Sequence, residues 1–252
     1  MSRGEQVRKH APWDRSKGRP EPIRALNLVH EVENQDPLVR LSEFAPSVRV
    51  PRPTTIAFCR HLVALMAEQA AQSLPKGVVL VVTDAYRPLS RQQRIYDWFT
   101  QCVKDAFPHL NHAQTRRKVN RWVAPCDQKA PPGHCTGAAL DVILEDEYGE
   151  PLDVASPYDR FLAGPTYTIG LSEVAQFNRD LLVNAMLNAG FSNCRDEWWH
   201  YSYGDAGWAV RLNKFECFYG LAELPVHEYE QAHKLWLRAF EDRVNPFFEA
   251  LT

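Results

Sequence analysis

An acidic residue lies inside an apolar stretch of this chain. Asp141 stands between Leu140 and Val142 in the run 138–144, which follows Gly137 and precedes a cluster of acidic residues. A short apolar run with such flanks predicts a buried strand. An ionised carboxylate inside that strand is unfavourable by several kcal/mol unless a metal ion or a cation compensates its charge. We therefore expect the fold to bring a metal or a positive charge to Asp141.

Two further stretches of the chain carry groups that suit such a site. His134 precedes Asp141 in the same stretch, and Glu197 and His200 lie close together much later. Two imidazoles and one carboxylate are a ligand set of catalytic zinc, with a fourth position left for water. Glu197 is placed to take the proton of that water, and Arg87 is of the type that stabilises an oxyanion. The pattern is typical of a metal-dependent hydrolase.

The composition is that of a folded protein with almost no net charge. Of the 252 residues, 45% are hydrophobic, which is enough to fill the core of one large domain. The 29 Lys and Arg residues nearly balance the 31 Asp and Glu residues. This balance argues against nucleic acid or an anionic membrane as a partner, because no bulk field attracts either. A small-molecule partner fits better.

The cysteines and the apolar runs indicate where the protein resides. The six cysteines are scattered, without a Cys-x-x-Cys pair or a dense framework, and this predicts free thiols in a reducing compartment. No secretory signal and no apolar run long enough to cross a membrane stands in the sequence. We therefore expect a cytoplasmic protein.

The order of the expected elements predicts an α+β fold. We expect one domain over residues 23–252, with a central antiparallel sheet flanked by helices, after a loosely ordered arm of residues 1–22. The polar stretch 104–133 is too long for an ordinary connection and is predicted to be an insertion or lid beside the site. The expected strands cover 78–83 and 138–144, and the segment 197–203 is β-prone. The expected helices are one over 54–74 with Cys59, Leu62, Val63, Met66 and Ala70 at helical spacing, one after the N-cap Ser90 with the stripe Ile95, Trp98, Phe99 and Cys102, one over 172–189 with Val174, Phe177, Leu181 and Leu187 in the core, and one over 225–242.

The motifs together resemble a known family. The pattern His-x-x-Gly-x-Ala-x-Asp at 134–141, followed by Glu-x-x-His at 197–200, resembles the zinc D,D-peptidases that share a fold with the Hedgehog signalling domain. Asp-Ala-Tyr-Arg-Pro at 84–88 and Glu-Trp-Trp-His-Tyr at 197–201 are most similar to the VanX-type D-alanyl-D-alanine dipeptidases. The resemblance spans about residues 78–203.

The resemblance implies a reaction and a role for each motif residue. It implies hydrolysis of D-alanyl-D-alanine, or of a closely related small dipeptide, on cell-wall (peptidoglycan) precursors or their breakdown products. One zinc ion per chain is implied. The implied roles are zinc ligation by His134, Asp141 and His200, general base and then acid catalysis by Glu197, polarisation of the scissile carbonyl by Arg87, and substrate binding by Asp159 near the free amino group and by Tyr86.

The chain departs from the family pattern at one position. The family usually has a serine two positions before the first histidine, where it helps to hold the substrate carboxylate, and this chain has Pro132 there. Metal binding is expected to survive this change, whereas recognition of the carboxylate must differ.

Several alternatives stay open at this stage. A D,D-carboxypeptidase acting on longer peptidoglycan stems, or a zinc-containing binding module without catalysis, would carry the same motifs. Arg87 could serve as a structural partner of Asp84, and Glu197 could support a ligand rather than transfer protons. In a regular strand, residues 197 and 200 would face opposite sides, so one metal site needs a bend, a bulge or a helical turn between them.

Overall fold

The structure is a computed structural model and describes residues 18–155 and 164–249. The strands are β1 (His30–Glu31), β2 (Leu38–Arg40), β3 (Phe58–Arg60), β4 (Val78–Asp84), β5 (Ala139–Asp146), β6 (Ser192–Asn193), β7 (His200–Ser202) and β8 (Glu216–Cys217). The α-helices are α1 (Ile23–Leu26), α2 (Leu41–Phe44), α3 (His61–Gln72), α4 (Leu89–Ala106), α5 (His112–Val119), α6 (Glu173–Asn188), α7 (Ala206–Arg211), α8 (Glu230–Glu241) and α9 (Pro246–Glu249). Two 3₁₀ turns cover Gly133–Thr136 and Val226–Glu228.

A four-stranded antiparallel sheet in the order β4-β5-β7-β6 forms the centre of the fold. Two smaller pairs accompany it, an antiparallel β2-β3 pair and a parallel β1-β8 pair. Helices α3 and α6 contribute to the main hydrophobic core together with β4 and β5. This arrangement confirms the predicted α+β class with a central antiparallel sheet.

The two faces of β5 have different surroundings. Leu140, Val142 and Leu144 are fully buried in the main core. Because side chains alternate along a strand, Asp141 and Ile143 point to the other face, where both line a cleft. The carboxylate is thus placed on the cleft side of the sheet and not within the apolar core.

A β-bulge in β4 changes which residue stands beside Asp141. Val82 pairs with Val142, but the register then shifts, so that Asp84 pairs with Asp141. Thr83 is the extra residue, and without it the side chain of Asp84 would point to the opposite face. The bulge therefore brings Asp84 to the cleft face.

The helix predicted over 54–74 is wrong at its beginning. The segment starts with β3, in which Cys59 pairs with Val39 and is fully buried, and α3 begins only at His61. Cys59 happens to fit the helical spacing, but it is buried because it lies in a strand pair. The next helix also begins before the predicted N-cap Ser90, at Leu89, directly after Pro88.

The predicted core face of the helix over 172–189 is wrong for Val174, Phe177 and Leu187, which are exposed, and right for Leu181, which packs against the main core. Ser172 caps α6 as a side-chain acceptor, but Val174 and Phe177 are 60% and 67% exposed. The face of the helix that packs on the sheet includes Leu182 and Met186. The large apolar residues formed a stripe at helical spacing, yet the sheet contacts a different side of the helix.

The polar stretch 104–133 contains the unpredicted helix α5. Its start is a capping box in which Asn111 and Gln114 accept each other's backbone N–H groups. Residues 120–125 and 130–132 then line the cleft. The expectation that this stretch lies beside the site therefore agrees with its position.

Two further expectations concern the cysteines and membrane spans. All six cysteines are free, as predicted. Within the described ranges, we find no helix with the length and apolarity that crossing a membrane requires. The division into an arm and a domain stays a prediction, since most of the arm lies outside the described residues.

Candidate active site

Two of the three expected metal ligands are neighbours across the sheet. Asp141 of β5 and His200 of β7 are directly opposite each other in the antiparallel register. The Nδ1 atom of His200 lies 3.0 Å from Oδ1 of Asp141. Directly opposite residues of an antiparallel pair share one face of the sheet, so the pairing itself sets this contact.

The third expected ligand, His134, lies in the 3₁₀ turn before β5. Its Nε2 atom is 3.2 Å from Oδ1 of Asp141. Its Nδ1 atom lies 2.8 Å from the carbonyl oxygen of Ala85. A carbonyl only accepts hydrogen bonds, so Nδ1 carries the proton of this contact and Nε2 is directed at Asp141.

Gly137 permits the turn that carries His134. Its φ angle is +72°, a left-handed conformation that favours glycine. A Cβ atom at this position would lie 2.3 Å from Cδ2 of Leu38. Both conformation and space therefore require glycine between the first histidine and Asp141.

The donor set fits a zinc ion. The ligand atoms of His134, Asp141 and His200 all lie within 4.8 Å of one another. Two nitrogens and one carboxylate oxygen are a ligand set of catalytic zinc sites, and the hydrogen bond from His134 to a backbone carbonyl is the support that such ligands usually have. Exposed histidines such as His109 and His112 are not part of this cluster.

The electrostatics of the cluster favour a charged Asp141. Burial alone raises the pKa of Asp141, but the imidazoles of His134 and His200 outweigh burial and hold that pKa well below its usual value. For His134 the reverse holds, because burial lowers its pKa and the Asp141 carboxylate raises it by more. The carboxylate is thus available as an anionic ligand.

Glu197 reaches the same cleft from a turn and not from a strand. The N–H group of His200 donates to the carbonyl of Glu197 at 3.2 Å, which closes a tight turn, and β7 begins at His200. The turn resolves the conflict between two strand residues that would face opposite sides. Burial, followed by the negative charge of Asp141, raises the pKa of Glu197 well above its usual value. The site therefore combines one carboxylate kept ionised with another that readily holds a proton.

Arg87 is fixed by two partners on its own segment. Its Nε and Nη2 atoms donate to Oδ2 of Asp84 at 3.1 and 2.6 Å, and its Nη1 donates to Oε1 of Gln92 at 2.5 Å. Burial opposes the positive charge, but Asp84 and then Asp141 raise the pKa of Arg87 above its usual value. Arg87 is therefore a structural partner of Asp84, and this pairing holds Arg87 in the cleft.

A cleft of about 1380 Å³ contains all of these groups. The sheet face forms its floor, and walls come from α4, the stretch 120–132, and residues after α8. Tyr86 does not line this cleft; it is buried, and its hydroxyl donates to the carbonyl of Ala222 at 3.0 Å. Its role in substrate binding stays a prediction that these contacts do not favour. Asp159 lies outside the described residues.

Sequence reasoning missed Gln92 as part of the site. Gln92 is almost fully buried, and besides accepting from Arg87 it donates to the carbonyl of Ala124 at 2.7 Å. Gln92 stands between Arg91 and Gln93 in a polar stretch of α4, so its local sequence carries no signal of this role. The bulge at Thr83 gives no signal in the sequence.

Three side chains that could ligate a metal, beside a carboxylate that could accept a proton and a paired arginine, are typical of metal-dependent hydrolases. The chain belongs to the D-ala-D-ala dipeptidase family, whose model matches residues 22–218. The resemblance drawn from the motifs is thereby confirmed.

Two curated relatives carry the same description. The chain is 33% identical to the D-alanyl-D-alanine dipeptidase of Synechocystis sp. over 156 residues, which are 54% of this chain and 63% of that protein. It is 27% identical to the D-alanyl-D-alanine dipeptidase of Escherichia coli over 161 residues, which are 63% of this chain and 73% of that protein. The match thus spans less than two thirds of the Synechocystis relative.

Solved structures with a weaker likeness include VanYB in complex with D-alanine-D-alanine. It is 18% identical, with a TM-score of 0.42 over 75% of this chain and 93% of that one. A mutant of the vancomycin resistance D,D-pentapeptidase VanY in complex with Zn(II) gives the same identity and TM-score, over 75% of this chain and 95% of that one.

Proposed function

We propose that this protein is a zinc-dependent dipeptidase that hydrolyses D-alanyl-D-alanine or a closely related small dipeptide. The observation that carries the proposal is the convergence of His134, Asp141 and His200 in one cleft with Glu197 and Arg87. All five residues lie within the span that matches the D-ala-D-ala dipeptidase family. Intact Glu197 and Arg87 argue against a binding module without catalysis.

His134, Asp141 and His200 would hold the zinc ion, one per chain. A zinc ion held there would supply Lewis acidity, which makes water a better nucleophile and polarises the scissile carbonyl. The hydrogen bond to Ala85 keeps the ring of His134 in the orientation that ligation needs. The cross-strand pairing of Asp141 with His200 fixes the other two donors.

Glu197 acts as the general base and then as the general acid. Its carboxylate oxygen takes a proton from the attacking water as the new carbon–oxygen bond forms. It returns that proton to the amide nitrogen as the carbon–nitrogen bond breaks, so that two free amino acids leave. The raised pKa of Glu197 suits this exchange, because a base of higher pKa binds the proton more strongly.

Arg87 stabilises the negative charge that develops on the carbonyl oxygen. The guanidinium is held by Asp84 and Gln92 before substrate arrives, so little reorganisation is needed during the reaction.

The test is release of free D-alanine from D-alanyl-D-alanine by zinc-loaded protein. We expect Glu197→Ala to lower the rate by about 100-fold or more, since general acid–base catalysis contributes that much, while zinc content is unchanged. Asp196→Asn is the matched control, because Asp196 is the adjacent acid and is paired with Arg195. An N-acetylated dipeptide tests the requirement for a free amino group. Near-normal turnover by the Glu197 variant would remove Glu197 from the mechanism.

A D,D-carboxypeptidase acting on longer stem peptides is the second candidate. The cleft of about 1380 Å³ exceeds the roughly 300–1,000 Å³ of most small-ligand pockets, and this size favours a longer substrate. Cleavage of a pentapeptide that ends in D-alanyl-D-alanine, faster than cleavage of the free dipeptide, would decide for this candidate.

The cytoplasmic location and the action on peptidoglycan precursors or fragments are parts of the proposal. Free cysteines support the first, and the family description supports the second. Fractionation of cells with an antibody to this protein tests the location.

A further inference from the structure

A second arginine lies beside Arg87 in the wall of the cleft. Arg91, on the first turn of α4, is only 2% exposed and lines the same cleft as Arg87. Its Nη1 donates to the carbonyl of Thr54 at 2.9 Å, and its Nη2 donates to the carbonyl of Ala232 at 3.4 Å. The guanidinium carbon lies 4.6 Å from the ring centre of Trp236 on α8. Arg91 is thus held by three contacts from two other segments, the loop at Thr54 and helix α8.

Arg91 differs from Arg87 in having no anionic partner. Within residues 18–155 and 164–249, no carboxylate lies within ion-pair distance of Arg91, and its Nε atom has no hydrogen-bond partner. Burial lowers the pKa of Arg91 to about 10, with the charge of Asp84 opposing this shift and the charge of Arg87 adding to it, so the group is still cationic at neutral pH. A buried charge without a counter-ion is unfavourable, and its interactions are stronger than those of a solvated charge. An anionic ligand in the cleft would compensate it.

A second charged cluster also lines the cleft and carries an excess of negative charge. There Arg211 lies 2.8 Å from Glu21 and 4.0 Å from Asp205, so that two carboxylates face one guanidinium. All three residues line the cleft. A dipeptide is a zwitterion, so the acidic cluster offers a partner to its ammonium group and Arg91 offers one to its carboxylate.

We infer that Arg91 recognises the carboxylate end of the substrate; this rests on the proposed function. Pro132, which lines the cleft where the sequence pattern calls for a carboxylate contact, has no hydrogen-bond donor to offer. Arg91 supplies the missing positive charge from the neighbouring wall. Arg91 is thus a specificity-determining residue.

Helix α8 holds Arg91 from outside the span that matches the family. Trp236 and Ala232 belong to α8, which lies beyond the span 22–218 that matches the family. By stacking on Arg91, Trp236 excludes water from one face of the guanidinium and so strengthens its field in the cleft.

The test measures binding and not turnover. Zinc-loaded protein in the Glu197→Ala background is titrated by calorimetry with D-alanyl-D-alanine and with its C-terminal amide, which lacks the carboxylate. We expect Arg91→Gln to weaken binding of the dipeptide by about 10-fold or more, as for loss of a contact to a charged group, and to leave binding of the amide unchanged. Arg91→Lys keeps the charge and is expected to recover part of the loss. Arg94→Gln, a change on the exposed side of the same helix, is the matched control.

The outcomes separate this inference from the proposed function. If Arg91→Gln weakens binding of the dipeptide and of the amide equally, or weakens neither, Arg91 serves only to hold α4 and α8 together. Either result would overturn the inference. A wild-type protein that binds the dipeptide through Arg91 but never cleaves it would support the inference and overturn the proposed function. A protein that binds neither ligand would overturn both. If Arg91→Gln does not fold, Arg91→Lys is measured instead. A lower ratio of dipeptide affinity to amide affinity than in the wild type supports the inference, and an unchanged ratio overturns it.

Discussion

Asp141 and His200 face each other across β5 and β7, with Oδ1 of Asp141 3.0 Å from Nδ1 of His200. Two of the three expected metal ligands are therefore placed by strand register. A slip by one residue would turn either side chain to the other face, where β5 buries Leu140 and Val142 in the core. The same pairing that stabilises the sheet thus keeps the ligands together.

The first prediction concerns metal binding. His134→Ala and His200→Ala each remove one of three donor atoms, so we expect zinc affinity to fall by about 100-fold or more, beyond the 10- to 100-fold that changes outside the ligand set usually cause. Zinc content after dialysis, measured by atomic absorption, checks this. His227→Ala is the control, because the side chain of His227 is 78% exposed and far from the cluster in sequence. Stoichiometric zinc in either ligand variant would disprove the assigned site.

The sequence predicted which residues gather at the site better than it predicted how the fold places them. The residue types at 134, 141, 197 and 200 already indicated a metal and a base, because no common structural role needs them in that pattern. The central strands were also predicted, since β4 is a continuous apolar run before Thr83 and β5 is an apolar run that only Asp141 interrupts before its acidic end. Local composition was enough to predict both the site residues and these strands.

The parts that sequence reasoning missed depend on tertiary contacts. The bulge at Thr83 brings Asp84 beside Asp141. No residue near Thr83 predicts this bulge from the sequence. The exposed positions of Val174 and Phe177 follow from the side of α6 that the sheet contacts. Gln92 joins the site only because Arg87 and the chain near Ala124 converge on it.

The second prediction concerns the support of Arg87. Asp84→Asn keeps the shape of the side chain but removes the charge that accepts two bonds from Arg87. We expect kcat to fall by about 10-fold or more, because a misplaced donor stabilises the developing charge less, while zinc content stays normal. Asp97→Asn, an exposed change on α4, is the control. Unchanged kcat in Asp84→Asn would mean that Gln92 alone is enough to position Arg87.

The third prediction concerns Gly137. Gly137→Ala places a Cβ atom 2.3 Å from Leu38 and keeps a φ angle of +72°, so we expect the free energy of unfolding to fall by about 2 kcal/mol or more. Gly77→Ala is the matched control: its φ angle is +88°, but nothing lies within 4 Å of the added Cβ. We expect that variant to lose only about 1 kcal/mol. Urea denaturation of both measures the difference, and equal losses would show that the contact with Leu38 relaxes without a penalty.

The fourth prediction concerns acid stability through Glu33 and Arg60. Arg60 is buried, donates to both carboxylate oxygens of Glu33 at 3.0 Å, and donates through Nε to the carbonyl of Thr136 at 2.8 Å, in the turn that carries His134. Burial raises the pKa of Glu33, but hydrogen bonds from the N–H groups of Gly220 and Gln35 and the Arg60 charge lower it overall below 4.5.

A folded pKa below the unfolded value means that Glu33 stabilises the protein at a pH above 4.5 and loses this effect as the pH falls through the folded pKa. Glu33→Gln cannot ionise, so we expect the stability difference between wild type and this variant to be largest near neutral pH and to shrink below about pH 4.5. Urea denaturation at several pH values measures it, with the exposed change Glu43→Gln as the control. If this stability difference stays constant down to pH 3, the charge of Glu33 does not contribute to it. Acid would then not weaken the turn that carries His134 through the Glu33–Arg60 pair.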